Sequence, residues 1–187
     1  MRFGRKDNKA KKQLGTYAFI DSQNLNLGIQ RAGWKMDWRK FRDFLANKYG
    51  VTHAYMFIGY VAENEDMYNQ LHESGYLIVL KPTVDTSGND DTKSNSSKAV
   101  VKGNIDAELV LYAMKEMPNY SNAIIISGDG DFYCLAEYLE NKGRLKNIMT
   151  PNWKYSSLLK PYEKYIVRLD QKRKQLEHFD RPKKLKK

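Results

Sequence analysis

Cysteine is almost absent. Cys134 stands alone among 187 residues, which excludes an internal disulfide and a cysteine-based zinc site. Histidine is nearly as scarce: His53, His72 and His178 are isolated, with no H-x-H or H-E-x-x-H spacing, and this argues against a zinc hydrolase. No apolar run approaches the ~20 residues that span a bilayer. The charged start Met1-Arg2-Phe3-Gly4-Arg5-Lys6 meets no apolar stretch before Gln13, unlike a secretory signal. The expectation is a soluble cytoplasmic protein.

What is present is globular composition, 41% apolar and 12% aromatic, in a length suited to one domain with a sizeable core. The net charge of +10 is unevenly placed. Residues 1–13 carry six bases against one acid, and residues 168–187 carry nine against three. The body between them holds 17 bases and 18 acids, so the basic surplus belongs to the ends. This predicts a basic arm over 1–13, a domain over 14–170 and a basic tail over 171–187, frayed or disordered from Gln171 onward. Lys183-Lys184-Leu185-Lys186-Lys187 is the kind of tail that binds phosphates without reading sequence.

Strand-like and helix-like segments alternate along the body. Tyr17–Ile20 runs into Asp21, and a helical stretch follows over Asn24–Arg31. Asp37 reads as an N-cap, Phe41, Phe44 and Leu45 recur at helical spacing, and Gly50 ends the helix. Further strands are predicted over Val51–Tyr60, Tyr76–Leu80, Ser121–Ser127 and Lys146–Thr150, with helices over Glu63–Ser74, Asn104–Met117 and Phe132–Lys142. This alternation implies an α/β fold with helices on both faces of a mostly parallel sheet of about five strands. Pro82–Lys98, nearly devoid of large apolar residues, reads as a surface loop.

Ligands of such sheets bind beyond the carboxyl ends of the strands, where the strand order reverses. The first strand runs into Asp21-Ser22-Gln23-Asn24 and the fourth into Ser127-Gly128-Asp129-Gly130-Asp131. If these strands are neighbours, Asp21, Asp129 and Asp131 converge. Asp106 shares a helical face with Val110, Ala113 and Met114, whereas Glu108 lies about 200° around the helix, toward solvent. Four carboxylates in one cleft repel unless cations intervene, and hard oxygen ligands favour Mg2+ or Mn2+. Ser127 and Asn24 add neutral groups able to orient water or a phosphate.

F-I-D-x-x-N at Phe19–Asn24, K-G-x-x-D at Lys102–Asp106 and S-G-D-x-D-F at Ser127–Phe132 resemble the three motifs of the NYN domain. That family, LabA-like members included, is a branch of the PIN-like nucleases. The resemblance implies a three-layer α/β/α fold and a metal-dependent endoribonuclease. It also implies that Asp21, Asp106, Asp129 and Asp131 form the catalytic and metal-binding set, supported by Asn24, Ser127 and Lys102. The partner implied is RNA, single-stranded or structured, with no membrane; a homo-oligomer stays open.

Blander readings exist for each residue. Acids and Asn after strands are ordinary turn formers, and Asp131 suits an N-cap. Gly128-Asp129-Gly130 begins a dinucleotide fingerprint, but Tyr133 replaces its third glycine. A haloacid-dehalogenase-type phosphatase would need an acid where Gln23 stands. Cys134 reads as a packing residue, and Trp34, Trp38, Tyr60 and Trp153 as core more than as base-stacking groups. The rival functions are a non-catalytic RNA-binding or scaffold module and a small-substrate phosphatase or nucleotide hydrolase.

Overall fold

The computed structural model describes residues 14–59, 64–81 and 105–179. The basic arm 1–13, Tyr60, the segment 82–98, Lys102 and the tail 180–187 lie outside the described residues. Among the described residues, six strands form one sheet: β1 (Thr16–Asp21), β2 (Val51–Gly59), β3 (Leu77–Lys81), β4 (Asn122–Ile126), β5 (Leu145–Thr150) and β6 (Ile166–Arg168). Their order is β3-β2-β1-β4-β5-β6, and every pairing is parallel.

The pleat divides the core. Ala18 and Ile20 of β1 point to one face, Tyr17 and Phe19 to the other. On the first face lie α1 (Ser22–Arg31), α2 (Trp38–Tyr49) and α3 (Glu65–Glu73), burying Leu25, Ile29, Phe41, Leu45 and Leu71. On the second lie α4 (Asp106–Lys115) and α5 (Tyr133–Asn141), burying Leu109, Ala113, Leu135 and Leu139. The result is the expected three-layer α/β/α fold. Asp37 caps α2 through its Oδ1, which accepts from Lys40 N at 3.1 Å, and Gly50 ends that helix at φ 66°.

Two expectations fall short of the structure. The sheet has six strands among the described residues where about five were expected; the added one, β6, is three residues long and follows a 3-10 stretch, Ser157–Tyr165, that contains Pro161. Residues 171–179 are not frayed. Arg173–Leu176 forms α6, Leu176 is fully buried, and Asp37 N donates to Leu176 O at 2.8 Å. The apolar Leu176 needs cover, and the groove beside α2 provides it.

Among the described residues, no helix is long and apolar enough to cross a membrane.

Candidate functional site

β1 and β4 are neighbours at the centre of the sheet, the point where the chain order reverses. Asp21 ends β1 and is also the N-cap of α1: its Oδ1 accepts from Asn24 N at 3.0 Å. Its Oδ2 accepts from Ser127 Oγ at 3.0 Å, across 106 residues of chain. The same Ser127 oxygen accepts from Asp129 N at 3.1 Å, and Asp129 Oδ1 in turn accepts from Asp131 N at 3.1 Å. Asn24 Oδ1 accepts from Gly128 N at 2.9 Å. One chain of hydrogen bonds therefore stitches the two strand ends together. Ser127 and Asn24, expected to orient water or a phosphate, are engaged in holding Asp21 and the loop after β4.

Asp21 is only 5% exposed. Burial pushes its pKa above the usual carboxylate range, and the negative charge of Asp129 pushes the same way. The Asn24 amide and the Ser127 hydroxyl pull against that rise, as hydrogen bonds to the charged form do. The structure thus brings Asp21 and Asp129 within electrostatic reach. Asp129, not Asp131, caps the 3-10 turn Gly130–Phe132, and Asp131 is exposed.

Asp106 is the first residue of α4 and is half-buried. Lys81, the last residue of β3, pairs with Glu108 at 3.0 Å, which fixes the start of α4 at the carboxyl edge of the sheet. α4 packs on β1 and on the Gly130–Phe132 turn, so Asp106 begins its helix at the same edge as Asp21 and Asp131. The helix phase differs from expectation. The buried stripe is Ile105, Leu109 and Ala113, while Met114 is exposed. Glu108 is likewise half-buried and ion-paired rather than turned to solvent. Among the described residues, no three of the His, Cys, Asp and Glu side chains stand close enough to hold a metal ion. Lys102 lies outside the described residues. Cys134, expected to pack, is exposed.

The loop after β5 closes the other side of the cleft. Ser156 N donates to Gly128 O at 2.9 Å, and Asn152 Nδ2 donates to Gly28 O at 2.8 Å. Gly28 and Gly130 each sit where a side chain would collide with this loop. A Cβ on Gly28 would stand 2.5 Å from the Pro151 ring, and one on Gly130 would stand 3.1 Å from Ser156 Cβ. Sequence reasoning missed this wall. The one available signal is an unexplained glycine inside a helix, at Gly28.

The NYN domain family model matches residues 16–169. The low amplitude and bright protein LabA of Synechococcus elongatus is 26% identical over 168 residues, covering 88% of each chain. A crystal structure of a protein of unknown function from Vibrio parahaemolyticus superposes with a TM-score of 0.68 at 20% identity, covering 89% of this chain and 98% of that one. That likeness concerns the fold.

Proposed function

The chain belongs to the NYN domain family, whose members are typically nucleases, and on that premise we propose that it is a metal-dependent endoribonuclease acting at the Asp21–Asp129 cleft. The observation that carries the reading is Asp21 itself: a carboxylate buried at the sheet's reversal point and facing the charge of a second carboxylate. The cap on α1 and the Ser127 hydrogen bond offset that arrangement's cost only in part, since burying a charge beside a like charge is unfavourable. A hard divalent cation, Mg2+ or Mn2+, offsets both penalties, and the donor set of carboxylate oxygens suits it.

Asp21 and Asp129 would hold the ion; Asp106, at the start of α4, and Asp131, in the turn after β4, would complete the set only by drawing in, since no three of these carboxylates stand close enough as they are. When bound, the ion supplies activation of water and neutralisation of charge on the phosphodiester. Ser127 keeps Asp21 Oδ2 in place and at the same time orients the Asp129 amide. Asn24 ties the start of α1 to Gly128, so that the two walls of the cleft keep one spacing. Lys102 is proposed as a phosphate contact, RNA as the partner, and the cytoplasm as the location.

Hydrolysis by water leaves 5′-phosphate and 3′-hydroxyl ends. The test is cleavage of a labelled RNA in Mn2+ against an EDTA control, with Asp21→Asn and Asp129→Asn. Each variant is expected to fold and to lose at least about 100-fold in cleavage. Near-wild-type cleavage by both variants, or products ending in 2′,3′-cyclic phosphate, refutes the mechanism. Binding of RNA without any turnover points to the non-catalytic module instead.

A further inference from the structure

We propose that the groove between α1 and the loop after β5 is a base-stacking subsite that holds one nucleotide of a single RNA strand as it leaves the Asp21–Asp129 cleft. This rests on the nuclease reading above and adds to it the path of the substrate.

The groove encloses about 700 Å³, within the range of small-molecule and nucleotide sites. It is continuous with the cleft, because Asn24 and Gly128, the pair that ties α1 to the loop after β4, also line one end of it. Its wall carries Trp153, which is 62% exposed and has Lys154 Nζ 5.0 Å from its ring centroid. An exposed indole with a cation beside it is a ready platform for a flat partner. Every nucleobase offers such a face.

A second indole supplies an independent sign. Trp34 lines the same groove, is only 5% exposed, and its Nε1–H has no hydrogen-bond partner among the described residues. Buried indole N–H groups are normally paired; this one is closed off from solvent, and a small turn of the indole as a ligand enters would bring it to the groove's surface to meet an acceptor. A base carbonyl, a ring nitrogen or a phosphate oxygen can fill that role.

Charge favours the same ligand. Among the described residues, the one lining carboxylate, Asp170, is neutralised by Arg168 at 2.6 Å, and lining Arg173 is engaged by Glu177 at 2.7 Å. Arg31 and Lys154 remain as cations that form no ion pair among the described residues. The acidic cleft repels a polyanion, so a strand reaching it needs a cationic, aromatic hold nearby. This groove is adjacent and has both.

The test uses the full chain in EDTA, where binding proceeds without cleavage. A short fluorescent oligouridylate is titrated and its anisotropy read. Trp153→Ala is expected to weaken binding about tenfold, the size of one lost base stack. Trp34→Phe is expected to weaken it about fivefold while leaving thermal stability unchanged or raised, since it removes an unpaired buried donor. In Mn2+, both variants should raise KM by more than they lower kcat. Wild-type affinity in both variants overturns the subsite, even if the protein cuts RNA. Oligouridylate binding that both tryptophan variants weaken, in a protein that never cuts, leaves the subsite standing and fails the nuclease reading. Equal affinity for uridine monophosphate, or preference for an acidic peptide, also overturns the assignment to a strand.

Discussion

Ser127→Ala removes a hydroxyl that does two things at once, and the structure sets the size of the loss. The hydroxyl donates to the buried Asp21 carboxylate at 3.0 Å and accepts from the Asp129 amide at 3.1 Å. A hydrogen bond to a charged group contributes about 1.5–3 kcal/mol and a neutral one about 1 kcal/mol. The expected cost in the metal-free protein is therefore about 3 kcal/mol, a fall in Tm of about 6–12 °C for a chain of this length. In an Asp21→Asn background the charged partner is gone, and the same substitution should cost only about 1 kcal/mol. The double-mutant cycle then shows a coupling of about 1–2 kcal/mol.

The pH dependence has a definite sign. Burial raises the folded-state pKa of Asp21, so the wild-type loses stability as pH climbs from the unfolded carboxylate value through the folded one. Ser127 is one of the groups that restrain this rise, and its removal lifts the pKa further. The stability difference between wild-type and Ser127→Ala is thus full where Asp21 is charged in both, and it shrinks as pH falls through the folded values. Urea melts of the four proteins in EDTA, from acid to neutral pH, measure both effects. Additivity within about 0.5 kcal/mol, or a difference that grows toward acid pH, would show that Ser127 does not hold the charged carboxylate.

Three further outcomes are expected. Gly28→Ala gains under about 1 kcal/mol of helix propensity but drives its Cβ into the Pro151 ring, at a cost of about 1–3 kcal/mol, so a thermal melt should show net destabilisation. Glu108→Gln breaks a pair whose side chains are each 31% exposed, and should cost no more than about 1 kcal/mol in a urea melt. Removing residues 1–13 and 180–187 deletes eleven bases and two acids without disturbing α6. If about five of those bases touch phosphates, the log–log salt slope for single-stranded RNA, near −3.5 in the full chain, flattens in the trimmed one.

The strands were legible wherever the apolar run was solid: β1 and β4 read directly as T-Y-A-F-I and A-I-I-I, buried on both faces. Asp21 and Asp129 were legible for the same reason, since a buried strand that runs into an acid places that acid at the sheet's edge. β6 was not, because Ile-Val-Arg is too short to show a period. The helix carrying Asp106 was found but its phase was misjudged. Val110 and Met114 suit a buried stripe as well as Leu109 does, and only packing on β1 chooses between them. The tail misled through its charge. Arg173 and Lys174 outweigh one Leu in composition, yet Leu176 decides where the segment goes. The groove beside the cleft was illegible altogether, because its walls come from four separate stretches of chain: α1 and its exit, the loop after β4, the loop after β5, and the segment leading into α6.

The pairing of β1 with β4 also sets a clock on the protein's birth. Asp21 leaves the ribosome 106 residues before Ser127 does. At roughly 5–20 residues per second, that interval lasts about 5–20 s. Through it, β1 can pair only with β2, and its other edge stays open, since the partner strand has not yet been made. A solid T-Y-A-F-I run with one free edge is a template for wrong pairing. The Asp21 carboxylate, meanwhile, remains in water with neither Ser127 nor Asp129 beside it. The floor of the cleft is therefore assembled only when the fourth strand takes its place beside the first.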